Sequence, residues 1–185
     1  MAHDPMTLPS GLPEPEDDGA ADHLPGASLP DVALPATDGS TVRVAELPRT
    51  VLFGYPRTGQ PGVEPLVEDW DLIPGARGCT PEVCSFRDLH DAFADAGAGV
   101  YGFSTQDTGY QREAAERLHL PFPLLSDADL ELTRALPLPT FEAAGQTLLK
   151  RLTLIVRDGT IEHVFYPVFP PDGHADEVLA WLKAS

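Results

Sequence analysis

The chain has 185 residues, 42% of them hydrophobic and 22% charged, which is the length and composition of one water-soluble domain with its own core. Twelve Lys and Arg against 29 Asp and Glu give a net charge of −17. Such a field repels phosphate backbones and anionic headgroups, so neither nucleic-acid binding nor polybasic membrane attachment is expected. No stretch reaches the roughly 18 consecutive apolar residues of a membrane span, and the start of the chain lacks the cationic and apolar regions of a signal peptide, so the expected location is the cytoplasm.

Residues 1–28 are rich in proline, carry six acids (Asp4, Glu14, Glu16, Asp17, Asp18 and Asp22) and contain no Lys or Arg. They have no apolar period, and they are expected to form a disordered, solvated tail before a single domain at 29–185. Val32–Leu34 and Thr41–Val44 flank Asp38-Gly39 and predict a hairpin. Thr50–Tyr55 predicts a buried strand that Pro56 ends. Residues 57–78 then form a loop rich in Pro and Gly, longer than the 12–15 residues that compact domains usually allow.

Thr80-Pro81 predicts a helix start, a hydroxyl cap followed by proline. Val83, Phe86, Leu89, His90 and Phe93 would share one face, and the helix would stop near Gly97. Val100–Ser104 and Phe122–Leu125 predict strands; Gln111–Leu118 and Asp127–Leu136 predict helices. Arg151–Val156 and Thr160–Tyr166 are strands around Asp158-Gly159, and Ala175–Leu182 is a closing amphipathic helix. The order predicts an α/β fold with a mixed central sheet covered on both faces.

The two cysteines, Cys79 and Cys84, are spaced C-x4-C. Two thiols cannot close a tetrahedral zinc site; His90 could join them, but no fourth ligand is evident, so no metal is expected. Cys79 precedes a helix start, where unpaired N–H groups and the positive dipole end favour a thiolate, and Arg77 adds a positive charge nearby. A small buried residue is the plainer reading of Cys79. Positions i and i+5 of a helix lie roughly 8–9 Å apart, beyond the limit of about 7 Å for a disulfide. A Cys79–Cys84 bond therefore requires local unwinding.

The string Gly78-Cys79-Thr80-Pro81-Glu82-Val83-Cys84-Ser85-Phe86-Arg87-Asp88 resembles the active-site segment of peroxiredoxins of the bacterioferritin-comigratory-protein, or peroxiredoxin Q, group. Leu29–Leu34 with Asp38-Gly39, Phe53–Pro56, Gly102–Ser104, Leu120–Asp127 and Arg151–Val156 with Asp158-Gly159 extend the similarity in order along 29–183. The resemblance implies a thioredoxin-like fold and a thiol peroxidase that reduces hydrogen peroxide and organic hydroperoxides without a cofactor. Cys79 would be the peroxidatic cysteine, Cys84 the resolving cysteine of the same subunit, and Arg151 the arginine that binds sulfur and peroxide. A thioredoxin-like reductant would restore the thiols of a monomer.

The family proline and threonine, seven and three residues before the peroxidatic cysteine, fall on Leu72 and Ala76. Pro56 and Thr58 begin the same motif, and residues 59–75 read as an insertion that separates them from Cys79. Pro56 is expected to shield the pocket and Thr58 to supply the hydroxyl, with Thr80 occupied as a helix cap. Trp70 and Ile73 of the insertion are expected to pack over the pocket or the helix. A redox sensor or thiol–disulfide exchange protein using the same cysteine pair, and a scaffold without catalysis, are the competing readings.

Overall fold

The computed structural model describes residues 4–185; residues 1–3 of the expected tail lie outside them. Strand β1 (Ala33–Pro35) pairs antiparallel with β2 (Thr41–Arg43) as the predicted hairpin. The central sheet contains β3 (Thr50–Gly54), β4 (Gly99–Ser104), β5 (Leu124–Ser126), β8 (Leu152–Arg157) and β9 (Thr160–Phe165), in the order β5-β4-β3-β8-β9. β3, β4 and β5 are parallel, whereas β8 is antiparallel to β3 and β9 is antiparallel to β8, so the sheet is mixed as the terminal hairpin predicts.

Period-two alternation divides the core between the two faces of the sheet. Val51, Phe53 and Ile155 point to the face covered by α1 (Cys79–Asp88), α2 (His90–Asp95) and α5 (His174–Ala184), and the end of α3 (Thr108–Arg117) joins them there. Leu52, Leu154 and Val156 point to the other face, toward the hairpin and α4 (Glu131–Ala135). Phe86 of α1 stacks on Phe53 with centroids 4.2 Å apart and a 5° interplanar angle, which seats the cysteine-bearing helix on the strand that leads to it.

The single predicted helix after Cys79 is two helices. It breaks at Leu89 (φ −101°, ψ 9°), and Phe93 is buried from the second piece. A further hairpin, β6 (Thr140–Ala143) with β7 (Gln146–Leu149), was not predicted; Trp70 and Ile73 of the insertion pack onto it beside Phe141 and Leu148.

Residues 4–28 also differ from the solvated tail expected of them. Leu24 is fully buried and Ala21 nearly so, in the core under the hairpin. The Gly26 N–H donates to Ile161 O (2.8 Å), and the Leu29 N–H donates to Gly159 O (2.8 Å). Lys150 Nζ and the Tyr166 hydroxyl both donate to Asp18, each at 2.8 Å. The acidic leader thus uses isolated anchors rather than a period, which is why patterning does not reveal it.

Candidate active site

The β3–β8 register builds the site. Gly54, the last residue of β3, lies opposite Leu152, the first of β8, so the residues just beyond, Tyr55–Thr58 and Arg151, meet at one edge. Gly54 allows this approach: a Cβ there would lie 2.9 Å from Phe103 Cζ and 3.0 Å from Leu152 Cδ2. The N-terminus of α1 arrives at the same edge. Its cap is Gly78 in the left-handed region (φ 109°), where a Cβ would also sit 2.4 Å from Pro171 Cγ. Thr80 is therefore inside the first turn and is not the cap.

Cys79 is 3% exposed. Its Sγ lies 3.3 Å from Arg151 Nη2 and 3.4 Å from the Arg57 backbone N, both placed to donate to sulfur, and 3.7 Å from Ala76 O. Arg151 Nη2 also faces the carbonyls of Gly75, Ala76 and Arg77 at 3.1–3.3 Å. Nη1 donates to Glu82 Oε2 at 2.7 Å, in an ion pair with side chains 1% and 0% exposed. Arg77 does not serve the thiol. It donates to the Asp71 carboxylate (3.0 Å) and to the carbonyls of Asp4 and Thr7 (2.8 Å each).

The site thus holds two acids, Cys79 and Glu82, around one cation. Burial pushes the Cys79 thiol up from its ordinary value; Arg151 and the Arg57 N–H draw it down, and the Glu82 carboxylate pushes it up again. Burial likewise raises Glu82, to about 7, against the pull of Arg151. Burying two negative charges beside one positive charge is costly, so both acids are shifted upward while Arg151 opposes the rise of each. Glu82 is the residue the sequence reading passed over. A glutamate in a first helical turn ordinarily complements the dipole in solvent, and only its partner 69 positions away shows that it is buried.

Thr58 and Cys79 line one cleft together with Thr80, Arg57, Trp70 and Tyr110. The space in it open to the centre of a water-sized molecule is about 40 Å³. One water centre needs roughly 10–15 Å³, so a small hydroperoxide fits. The Thr58 hydroxyl faces Gln106 Oε1 at 3.3 Å. The Thr80 hydroxyl, buried as well, has no partner among the described residues. Pro56 is buried at the entry to the loop. Cys84 is buried on α1 with a free thiol, which burial also pushes up; Arg87 and Arg117 oppose the rise, and Asp88 adds to it. Among the described residues no group of His, Cys, Asp and Glu could hold a metal, and no helix is long and apolar enough to cross a membrane.

The redoxin family model matches residues 24–179. The chain belongs to the redoxin family. Peroxiredoxin Q of Gentiana triflora is 30% identical over 97% of this chain and 78% of its own length. Peroxiredoxin Bcp of Escherichia coli is 30% identical over 85% of this chain and 94% of its own. The crystal structure of peroxidoxin BcpB from Mycobacterium tuberculosis superposes with a TM-score of 0.69 at 31% identity, covering 87% of this chain and 97% of that one. These relatives set the redoxin in the peroxiredoxin Q/Bcp group, with its thioredoxin-like mixed sheet flanked by helices, and make it a thiol peroxidase.

Proposed function

We propose that this peroxiredoxin reduces hydrogen peroxide and organic hydroperoxides through Cys79, with Cys84 of the same subunit as the resolving thiol and a thioredoxin-like dithiol as reductant. The observation that carries the assignment is the cleft at Cys79, whose sulfur is met by a buried guanidinium and a backbone N–H. The Cys79 thiolate attacks one peroxide oxygen, the O–O bond breaks, and the departing oxygen takes a proton as water or alcohol. The same donors that hold the thiolate stabilise charge developing on the oxygens. Cys79 becomes a sulfenic acid. The Cys84 thiol displaces its hydroxyl as water to give a disulfide, and two electrons from the reductant restore both thiols. The reading takes the protein to be a cytoplasmic monomer that needs no cofactor; the plant relative's peroxiredoxin Q is chloroplastic by name.

The test is rapid mixing of reduced protein with one equivalent of hydrogen peroxide, followed by tryptophan fluorescence and intact mass. The wild type should end as a Cys79–Cys84 disulfide, Cys84→Ser should stop at a sulfenic acid, and Cys79→Ser should be inert. Oxidation of Cys79→Ser as fast as wild type would sink the assignment.

Thr58 was expected to supply the hydroxyl for peroxide, but the geometry favours Thr80, whose hydroxyl is buried at the cleft without a partner, while that of Thr58 faces Gln106. Thr80→Val should slow the peroxide step about tenfold, the worth of one hydrogen bond in the transition state. Thr80→Ser should restore it, and Thr58→Val should cost less than Thr80→Val. The reverse order of rates would return the role to Thr58.

A further inference from the structure

The leader reaches the cleft. Pro5 stands in its wall beside Thr80 and Cys79. Arg77 holds the segment there, with Nη2 donating to the carbonyls of Asp4 and Thr7 and Nη1 donating to Asp71 of the insertion, so one guanidinium ties leader and insertion together. Leu8 closes the contact: its Cδ1 lies 3.0 Å from where a Cβ of Gly78 would be, at the cap of the cysteine helix. This stretch precedes residues 24–179, which the redoxin model matches.

Two features separate this wall from the rest of the site. Its attachment is local: residues 4–8 form no strand or helix, Pro5 alone of them is buried, and Met6 is 48% exposed. Segments with few buried contacts open at low cost in free energy. Val63, Leu66, Trp70 and Tyr110 add apolar and aromatic surface to the same cleft, beside Gln60 and Glu64. An alkyl or aryl group would be driven onto such a surface by its own burial, were the volume not restricted to that of a small peroxide.

We infer that residues 4–8 are a removable wall which limits the Cys79 cleft to small hydroperoxides, and that its release opens the Val63–Trp70–Tyr110 side to hydroperoxides with a hydrocarbon tail. The inference rests on Cys79 being the peroxidatic cysteine. Leader and insertion together then set substrate size, while the chemistry at sulfur stays with Arg151.

The experiment compares the full chain, the full chain with Leu8→Asp, and a chain lacking residues 2–12, each reacted in the reduced state with hydrogen peroxide and with cumene hydroperoxide. The readout is the ratio of the two second-order rate constants, cumene hydroperoxide over hydrogen peroxide. The shortened chain should raise that ratio at least tenfold and Leu8→Asp at least threefold. If the shortened chain does not fold, Leu8→Asp decides alone. A ratio within twofold of the full chain's, or a lower one, overturns the wall. A wild type that does not react with hydrogen peroxide at Cys79 would instead overturn the peroxidase reading, which keeps the two failures apart.

Discussion

Arg151→Met should reduce the rate of peroxide reduction by about 10²–10³-fold, the usual cost of removing one preorganised donor from developing oxyanion charge, and should also destabilise the fold. The second effect comes from Glu82. Its carboxylate is fully buried, and its Oε1 already lacks a partner among the described residues, so losing the 2.7 Å pair to Arg151 leaves it with no compensating charge. Burial already holds Glu82 up at about 7 beside Arg151, so without the guanidinium it takes up a proton, and the cost is that of a buried, unpartnered carboxyl, about 1–3 kcal/mol. The double variant Glu82→Leu, Arg151→Met should recover much of the stability because it buries neither a charge nor an unpartnered polar group, yet none of the activity. Denaturant titration and peroxide kinetics on the three proteins separate the two roles. If the double variant is as unstable as Arg151→Met, the stability cost arises elsewhere, in the carbonyls of Gly75, Ala76 and Arg77 that the guanidinium also faces.

That pair shows where sequence reading stops. Strands β3, β4, β8 and β9 are legible because buried apolar runs between turn residues are their own signal, and Asp158-Gly159 marks the last hairpin. The hairpin β6–β7 is not. Its turn residues are Ala144 and Gly145, with φ of 49° and 75°. Alanine in the left-handed region is not the Asn or Asp that advertises such a turn. Cys79 and Arg151 are legible through the motifs around them, whereas the occupancy of each hydroxyl is a three-dimensional fact. Thr80 looks like a cap in sequence because a hydroxyl precedes proline, but Gly78 takes the cap two residues earlier in a conformation that suits glycine. Thr58 of the displaced motif does line the cleft, since the β3 strand before it, and not the length of the insertion, fixes where it emerges.

The oxidised protein should be less stable than the reduced one, which inverts the usual effect of a disulfide. Cys79 and Cys84 are five positions apart in a continuous helix, both buried and both free. Bonding them requires the first turns of α1 to unwind, because helical geometry holds the two residues roughly 8–9 Å apart and the bond tolerates about 7 Å. Unwinding takes fully buried Val83 out of the core, at about 1.5–3 kcal/mol, and separates Glu82 from Arg151. Closing so short a loop returns about 2 kcal/mol at most by restricting the unfolded chain. With the Glu82–Arg151 pair lost as well, the melting temperature should therefore fall on oxidation, by roughly 2–4 °C for each kcal/mol of net loss in a chain of this length. Calorimetry on protein oxidised with one equivalent of peroxide, its disulfide verified by mass, measures this against the dithiothreitol-reduced form. Phe86 should stay on Phe53 throughout, since it lies beyond the bond. An oxidised form with an unchanged or higher melting temperature would mean that the unwound turns regain elsewhere the packing they lose, and the expected loss of stability would fall.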